Sequence, residues 1–161
     1  MNQVMLATDG SPSAEAATQE AVELAQRLDL PLLVASVEHQ PIPSYGYYGY
    51  AEVTAELAKL ERRRISDLFA SIRSRAEELG LEVETVELRG AVGEQLCAEA
   101  RRRRPRLLVV GAHGWGRVGR FVHGSVSTYI LHHSPVPVLI VQGSDREEQM
   151  ETATTATART I

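Results

Sequence analysis

The sequence predicts a single doubly wound α/β domain, and three observations lead there. Short apolar runs recur along the chain, amphipathic stretches of helical period separate them, and turn-forming residues stand at the junctions. Strands that alternate with helices pair in parallel through right-handed crossovers, which puts helices on both faces of the sheet. At 161 residues and 43% hydrophobic content the chain suits one domain with its own core. The expected sheet has five parallel strands in the order 3-2-1-4-5, a Rossmann-like arrangement.

The elements follow in order. Val4 to Ala7 is a short apolar run, the first strand, and Thr8-Asp9-Gly10-Ser11 breaks it as a strand-to-helix turn does. Ser11 and Pro12 read as N-cap and first residue of a helix whose buried face is Ala14, Ala17, Ala21, Leu24, Ala25 and Leu28. Leu32 to Val37 is the second strand. After it, Gln40 to Tyr50 carries Tyr45, Tyr47, Tyr48 and Tyr50 among glycines and prolines. That loop leaves the crevice end of its strand, and it could fold over a bound base, contact a partner, or be a disordered insert.

Val53 to Leu79 is a long charged helix with Ile65, Leu68, Phe69, Ile72, Ala76 and Leu79 inside and Gly80 at its end. Leu81 to Leu88 alternates with Glu82, Glu84 and Glu87, apart from one slip of register, so one face is wet and the strand lies at an edge. Val92 to Arg103 is the third helix. Leu107 to Val110 is uninterrupted and apolar, as a central strand covered on both faces would be. Gly124 to His133 is a further helix, and Pro135 to Val141 the last strand. Pro137 cannot donate to a ladder, which puts that strand at the other edge. The apolar segment Val136 to Val141 then needs a cover, and the same strand of a second subunit is the simplest one. Residues 1–142 are thus expected to form the domain, and the tail 143–161, rich in Thr, Ala and charge, to be disordered.

Composition narrows the function classes. The net charge of −4 argues against a general nucleic-acid-binding surface, and the basic run Arg101 to Arg104 falls in the last turn of a helix, where cations favour the dipole. No apolar run approaches the ~20 residues that span a bilayer, and Met1 leads straight into a strand with no signal peptide, so a cytoplasmic location is expected. Cys97, the single cysteine, sits on a helical pattern of small apolar residues and reads as core. His132 and His133 are adjacent on a helix and point in different directions, which does not make a metal site.

The chemistry concentrates after the fourth strand: Gly111-Ala-His113-Gly114-Trp115-Gly116, then Gly119, then Gly124-Ser125-Val126. Glycines let successive amide N–H groups close on an anion, and a helix opening at Gly124 and Ser125 offers phosphate its unpaired amides and dipole. Arg117 and Arg120 add charge nearby. In open parallel sheets ligands collect at the carboxyl ends of strands, and Asp9 and Gly111 both stand just past such ends. The segment is neither a P-loop, for no Gly-Lys-Ser/Thr follows, nor the dinucleotide fingerprint, whose glycines follow the first strand.

This segment resembles the universal stress protein family, in whose ATP-binding members Gly-x2-Gly-x9-Gly-Ser/Thr follows the fourth strand. Gly111, Gly114, Gly124 and Ser125 match that pattern, and the resemblance runs over residues 1 to about 142, including Asp9-Gly-Ser11 and Pro135 to Val141. It implies that Asp9 bonds ribose or adenine and that Ala7, Val37 and Val110 line the base pocket. It further implies that Gly111, His113, Gly114, Gly124, Ser125 and Val126 hold ribose and phosphates. Chemistry agrees, since a carboxylate accepts from hydroxyl and amino groups while amides and a serine hydroxyl donate to phosphate. For Asp9 the alternative is a helix-cap acceptor. The family commonly dimerises through its last strand. Departures are Trp115, where a small or basic residue is usual, His123, where an aliphatic one is, and Arg106, where Asp is common.

The expected function is therefore an adenine-nucleotide-binding regulatory protein of the stress response, with ATP as ligand and Mg²⁺ carried on its phosphates. A slow ATPase or autophosphorylating enzyme is the alternative from another class, although no dedicated metal-binding carboxylate or general base stands out beyond His113 or Asp9. A third reading is a dimeric interaction module that takes AMP or cyclic AMP, or nothing.

Overall fold

In a computed structural model of the protein, residues 3–38, 50–112 and 125–143 are described. Five strands form one parallel sheet: β1 Val4–Ala7, β2 Leu32–Glu38, β3 Val83–Arg89, β4 Leu107–Gly111 and β5 Val138–Val141. Their order is β3-β2-β1-β4-β5, as the sequence predicts. Four helices connect them: α1 Pro12–Leu28, α2 Tyr50–Glu77, α3 Val92–Arg103 and α4 Ser125–His133. All but the first residue of the tail 143–161, and the tyrosines Tyr45, Tyr47 and Tyr48, lie outside the described residues.

Strand alternation divides the core. Val4, Leu6, Leu32, Val34 and Val109 point to one face, where Ala17, Ala21 and Ala25 of α1 and Ile72 and Ala76 of α2 bury them. Met5, Leu33, Ala35 and Leu108 point to the other, under Leu96, Cys97 and Ala100 of α3 and Ile130 of α4. Both faces of β1, β2 and β4 are thus dry, which is why those runs read as continuously apolar.

The helix ends carry the chemistry that the sequence announces. The Ser11 hydroxyl accepts the Ala14 N–H at 3.2 Å, with Pro12 at the first helical position. At the far end of α2, Gly80 takes φ +76°, its N–H reaches the Glu77 carbonyl and the Leu81 N–H reaches back to Ala76 at 3.0 Å. That is a Schellman closure, and it carries Leu81, rather than Leu79, onto the core. The expectation for Leu79 is corrected, since this residue is half exposed in the turn. Leu28 is corrected likewise: the chain turns at the left-handed Asp29, the Leu30 N–H reaches back to Ala25, and Leu30 rather than Leu28 packs on the core.

Two further boundaries shift, and the expectation for β3 changes. α2 begins at Tyr50, three residues before the expected start, so the predicted tyrosine loop loses its last member to the helix. β5 begins at Val138; before it the Ser134 hydroxyl closes a turn onto the Val136 main chain, though the Pro137 carbonyl still accepts the Leu108 N–H at 2.9 Å. β3 is an edge strand, but not one with a single wet face: Val83 packs with the α1/α2 side, while Val86 and Leu88 pack with the α3/α4 side. The slip of register in the sequence marks that two-sided, partial cover.

Two arginines of the basic run at the end of α3 are engaged by carboxylates of the fold. Arg102 and Arg103 both donate to the buried carboxylate of Glu99, and Arg103 also pairs with Glu84 across on β3. Hydrogen bonds to the two glutamates, Glu84 first, raise the Arg103 pKa further above its ordinary value. Arg104 takes the left-handed conformation that ends the helix. Among the described residues no helix is long and apolar enough to cross a membrane.

Candidate functional site

The site predicted from sequence lies where β1 and β4 run out side by side. Ala7 is in register with Val110 on one side and with Ala35 on the other, and Gly111 is in register with Val141. Past Ala7 the chain turns at once. The Thr8 N–H still reaches the Ala35 carbonyl at 3.0 Å, the Thr8 hydroxyl accepts the Gly10 N–H at 3.2 Å, and Gly10 has φ +71°. Side chains with a Cβ avoid that conformation, so a glycine is what lets the strand deliver α1 so abruptly.

Asp9 sits half-buried at this turn, and its Oδ1 accepts the Ser11 N–H at 2.9 Å. Ser11, not Asp9, is thus the helix cap, and Asp9 closes an Asx turn two residues before it. The turn is also held from outside. Arg64 of α2 donates through Nη1 to the Asp9 carbonyl at 2.6 Å, while its Nε and Nη2 donate to the Glu61 carboxylate at 2.9 and 2.8 Å. The bond to Glu61 is the chief reason the Arg64 pKa lies above its ordinary value, with the Asp9 and Glu61 charges adding to it.

Gly111 ends β4 against the first turn of α1. A methyl group at Gly111 would stand 3.0 Å from the carbonyl carbon and oxygen of Ser13. The close approach requires a glycine, and it brings β4 and the start of α1 into direct contact. One residue on, Ala112 is tied twice: its N–H donates to Val141 at 2.8 Å and its carbonyl accepts the Ser127 hydroxyl at 2.9 Å. The second bond seats the first turn of α4 beside the end of β4. Ser125 and Val126, exposed in that turn, therefore share the crevice end with Asp9 and Gly111.

Ala7, Val37 and Val110 lie on one face of the sheet, the side of α3 and α4. Ala7 and Val110 are buried in that core, and Val37 is partly buried against it. What the first two present at the crevice is the main chain of the strand ends rather than a side-chain wall. His113, Gly114 and Gly124 lie outside the described residues, as do Trp115, Arg117 and Arg120.

Two charged features beside the site go beyond the residues read from the sequence. One is Arg64, 55 positions from Asp9. The other is Glu38, a buried carboxylate at the end of β2 that pairs with Arg89 of β3 at 2.7 Å. The register Glu38↔Arg89 makes that pair, and an alternating strand pattern could have hinted at it. At the last residue of α4, His133 stacks on Tyr129 with ring centroids 4.1 Å apart, and its Nδ1 lies 2.8 Å from the Tyr129 carbonyl.

Comparison with known proteins agrees with this architecture. Residues 1–142 match the universal stress protein family. A putative universal stress protein of Staphylococcus saprophyticus is 31% identical over 152 residues, covering 92% of this chain and 87% of that one. Among solved structures, the universal stress protein UspA of Lactobacillus plantarum superposes with a TM-score of 0.73 at 25% identity, over 88% of this chain and 97% of its own. A universal stress protein in complex with cyclic AMP superposes with a TM-score of 0.65, also at 25% identity, over 89% and 98%. With a strand order and a crevice of this kind already in place, the match over nearly all of the described residues leaves one assignment: the chain belongs to the universal stress protein family.

Proposed function

We propose that the protein binds an adenine nucleotide, ATP by the pattern of its glycines, and that occupancy tunes its conformation or its partners in the response to stress. The observation that carries this reading is the convergence at one crevice of the Asp9 turn, the Gly111 end of β4 and the first turn of α4. Asp9 accepts from ribose or base, and Ala7, Val37 and Val110 border the base through the strand ends. Gly111, His113, Gly114, Gly124, Ser125 and Val126 hold ribose and phosphates, with Mg²⁺ carried by the phosphates. The complete spacing Gly111, Gly114, Gly124, Ser125 supports the reading, as does the cyclic AMP bound by a relative of the same fold.

Calorimetric titration with ATP, ADP, AMP and cyclic AMP tests it. Saturable heat with at least one of them is expected, and the ranking sets how many phosphates the site takes. Absence of heat and of any thermal shift with all four overturns the reading.

The same proposal includes a homodimer formed along the outer edge of β5, through Val136 to Val141. All four residues of β5 are only half-buried although every one is apolar, which leaves an apolar edge to cover. Light scattering is expected to report twice the chain mass; a monomer across the working concentration range removes this part.

A further inference from the structure

Arg64 bears on the crevice from α2, far from Asp9 in sequence. Its guanidinium is planar and forked, and two of its three nitrogens are already aligned on the Glu61 carboxylate one turn earlier in α2. That alignment aims the third, Nη1, at the Asp9 carbonyl, 2.6 Å away. The pair is partly shielded, with side-chain exposures of 39% for Arg64 and 23% for Glu61, so neither group is free to swing in open water.

The held carbonyl belongs to the peptide between Asp9 and Gly10, the glycine whose φ of +71° gives the turn its direction. Leu68 and Nη1 of Arg64 both lie 3.4 Å from where a Gly10 side chain would begin, so α2 presses on this turn directly. Rotation of the Asp9–Gly10 peptide would displace the main chain that follows it, including the Ser11 N–H that holds the Asp9 carboxylate. The Asp9 turn is thus held at two points, its carboxylate by the Ser11 N–H and its carbonyl by Arg64.

α2 also reaches well past the sheet. Asp9 lies just beyond the end of β1, and from Arg64 the helix continues back to Tyr50, which at 1.5 Å per residue is roughly 20 Å. Leu57 and Leu60 on that part are half exposed. The Arg64–Asp9 hydrogen bond therefore joins the turn that carries Asp9 to a helical segment standing above the strand ends.

We propose that Arg64 is a positioning residue for the nucleotide site, and that its bond to the Asp9 carbonyl couples occupancy of that site to residues 50–63 of α2. This rests on Asp9 engaging the nucleotide. Coupling is reciprocal: if Arg64 steadies Asp9 for the ligand, the ligand steadies Arg64 and the helix that bears it.

The test pairs ATP calorimetry with amide hydrogen exchange on the full chain, for the wild type, Arg64→Ala, Arg64→Lys and Glu61→Gln. Arg64→Ala is expected to weaken ATP binding roughly tenfold or more, the scale of one charge-assisted hydrogen bond. Arg64→Lys, which keeps a donor for the carbonyl, recovers part of the loss, and Glu61→Gln, which loosens the aim of the fork, lies between. ATP is expected to slow exchange at residues 55–63 in the wild type and not in Arg64→Ala, a readout that a merely structural arginine would not move. Wild-type affinity in Arg64→Ala, or equal ATP protection of α2 in both proteins, overturns the coupling while leaving the nucleotide site intact. Absence of ATP binding in the wild type overturns the site itself and the coupling with it. Should Arg64→Ala fail to fold, Arg64→Lys and Glu61→Gln decide: unchanged affinity and unchanged α2 protection in both count against the proposal.

Discussion

Gly111 and Ser13 touch through their main chains. The Ser13 carbonyl and the Ser13 hydroxyl oxygen both lie 3.0 Å from where a β-carbon would begin, so β4 meets the first turn of α1 closely and mostly on main chain. Backbone cannot step aside as the tip of a long side chain can. Gly111→Ala is expected to destabilise the fold by about 1–3 kcal/mol, measured by urea unfolding, and to displace the end of β4 relative to Asp9. Unchanged stability would mean that α1 can retreat.

A second close approach lies on the other face. A methyl group at Gly93, in the first turn of α3, would stand 2.5 Å from Cδ1 of Tyr129 on α4. Glycine to alanine in a helix ordinarily gains about 1 kcal/mol. Here Gly93→Ala is expected to lose stability, because the obstructing atoms are the near side of the ring and Cβ itself. A higher unfolding midpoint for the variant would contradict this packing.

How far the sequence foretold the molecule depends on whether the cause is local. Ser11-Pro12 and Gly80 act on their own neighbours, and both helix ends are where those residues place them. The continuous run Leu107 to Val110 was legible because two dry faces leave no alternation to read. Leu28 and Leu79 misled because each continues a helical spacing past the point where the helix turns away from the core. Asp9 and Gly111 could be placed at the site, since the ends of apolar runs are strand ends and strand ends are where ligands gather. Arg64 could not: it is the third of three consecutive arginines in a charged helix, and nothing near it in sequence points to residue 9.

Glu99 separates a structural basic run from a binding one. Its carboxylate is buried and accepts from Arg102 and Arg103, whereas Arg101 is exposed. Glu99→Ala is expected to cost about 1–3 kcal/mol, because it removes the partner that both cations share. Arg101→Ala should fall within about 0.5 kcal/mol of the wild type. Equal effects in urea unfolding would mean that the run does not owe its place to Glu99.

Cys97 is 4% exposed, and burial pushes its thiol pKa up, against a smaller opposing effect of Arg101. The thiolate is the reactive form, so the native protein at neutral pH should resist iodoacetamide, while the urea-unfolded chain is alkylated fully. Stoichiometric labelling of the native protein would show that α3 opens from the sheet far more readily than this packing allows.

Asp9 offers the most direct test of the nucleotide site. Its Oδ1 holds the Ser11 N–H, and an asparagine keeps an oxygen there while losing the charge. Asp9→Asn should therefore fold with near wild-type stability. Titrating ATP into the wild type and Asp9→Asn by calorimetry is the decisive measurement. The account predicts saturable binding to the wild type and a loss of roughly tenfold or more in the variant, the scale of a hydrogen bond to a charged acceptor. Equal affinity in the two proteins, or no binding to either, would contradict it.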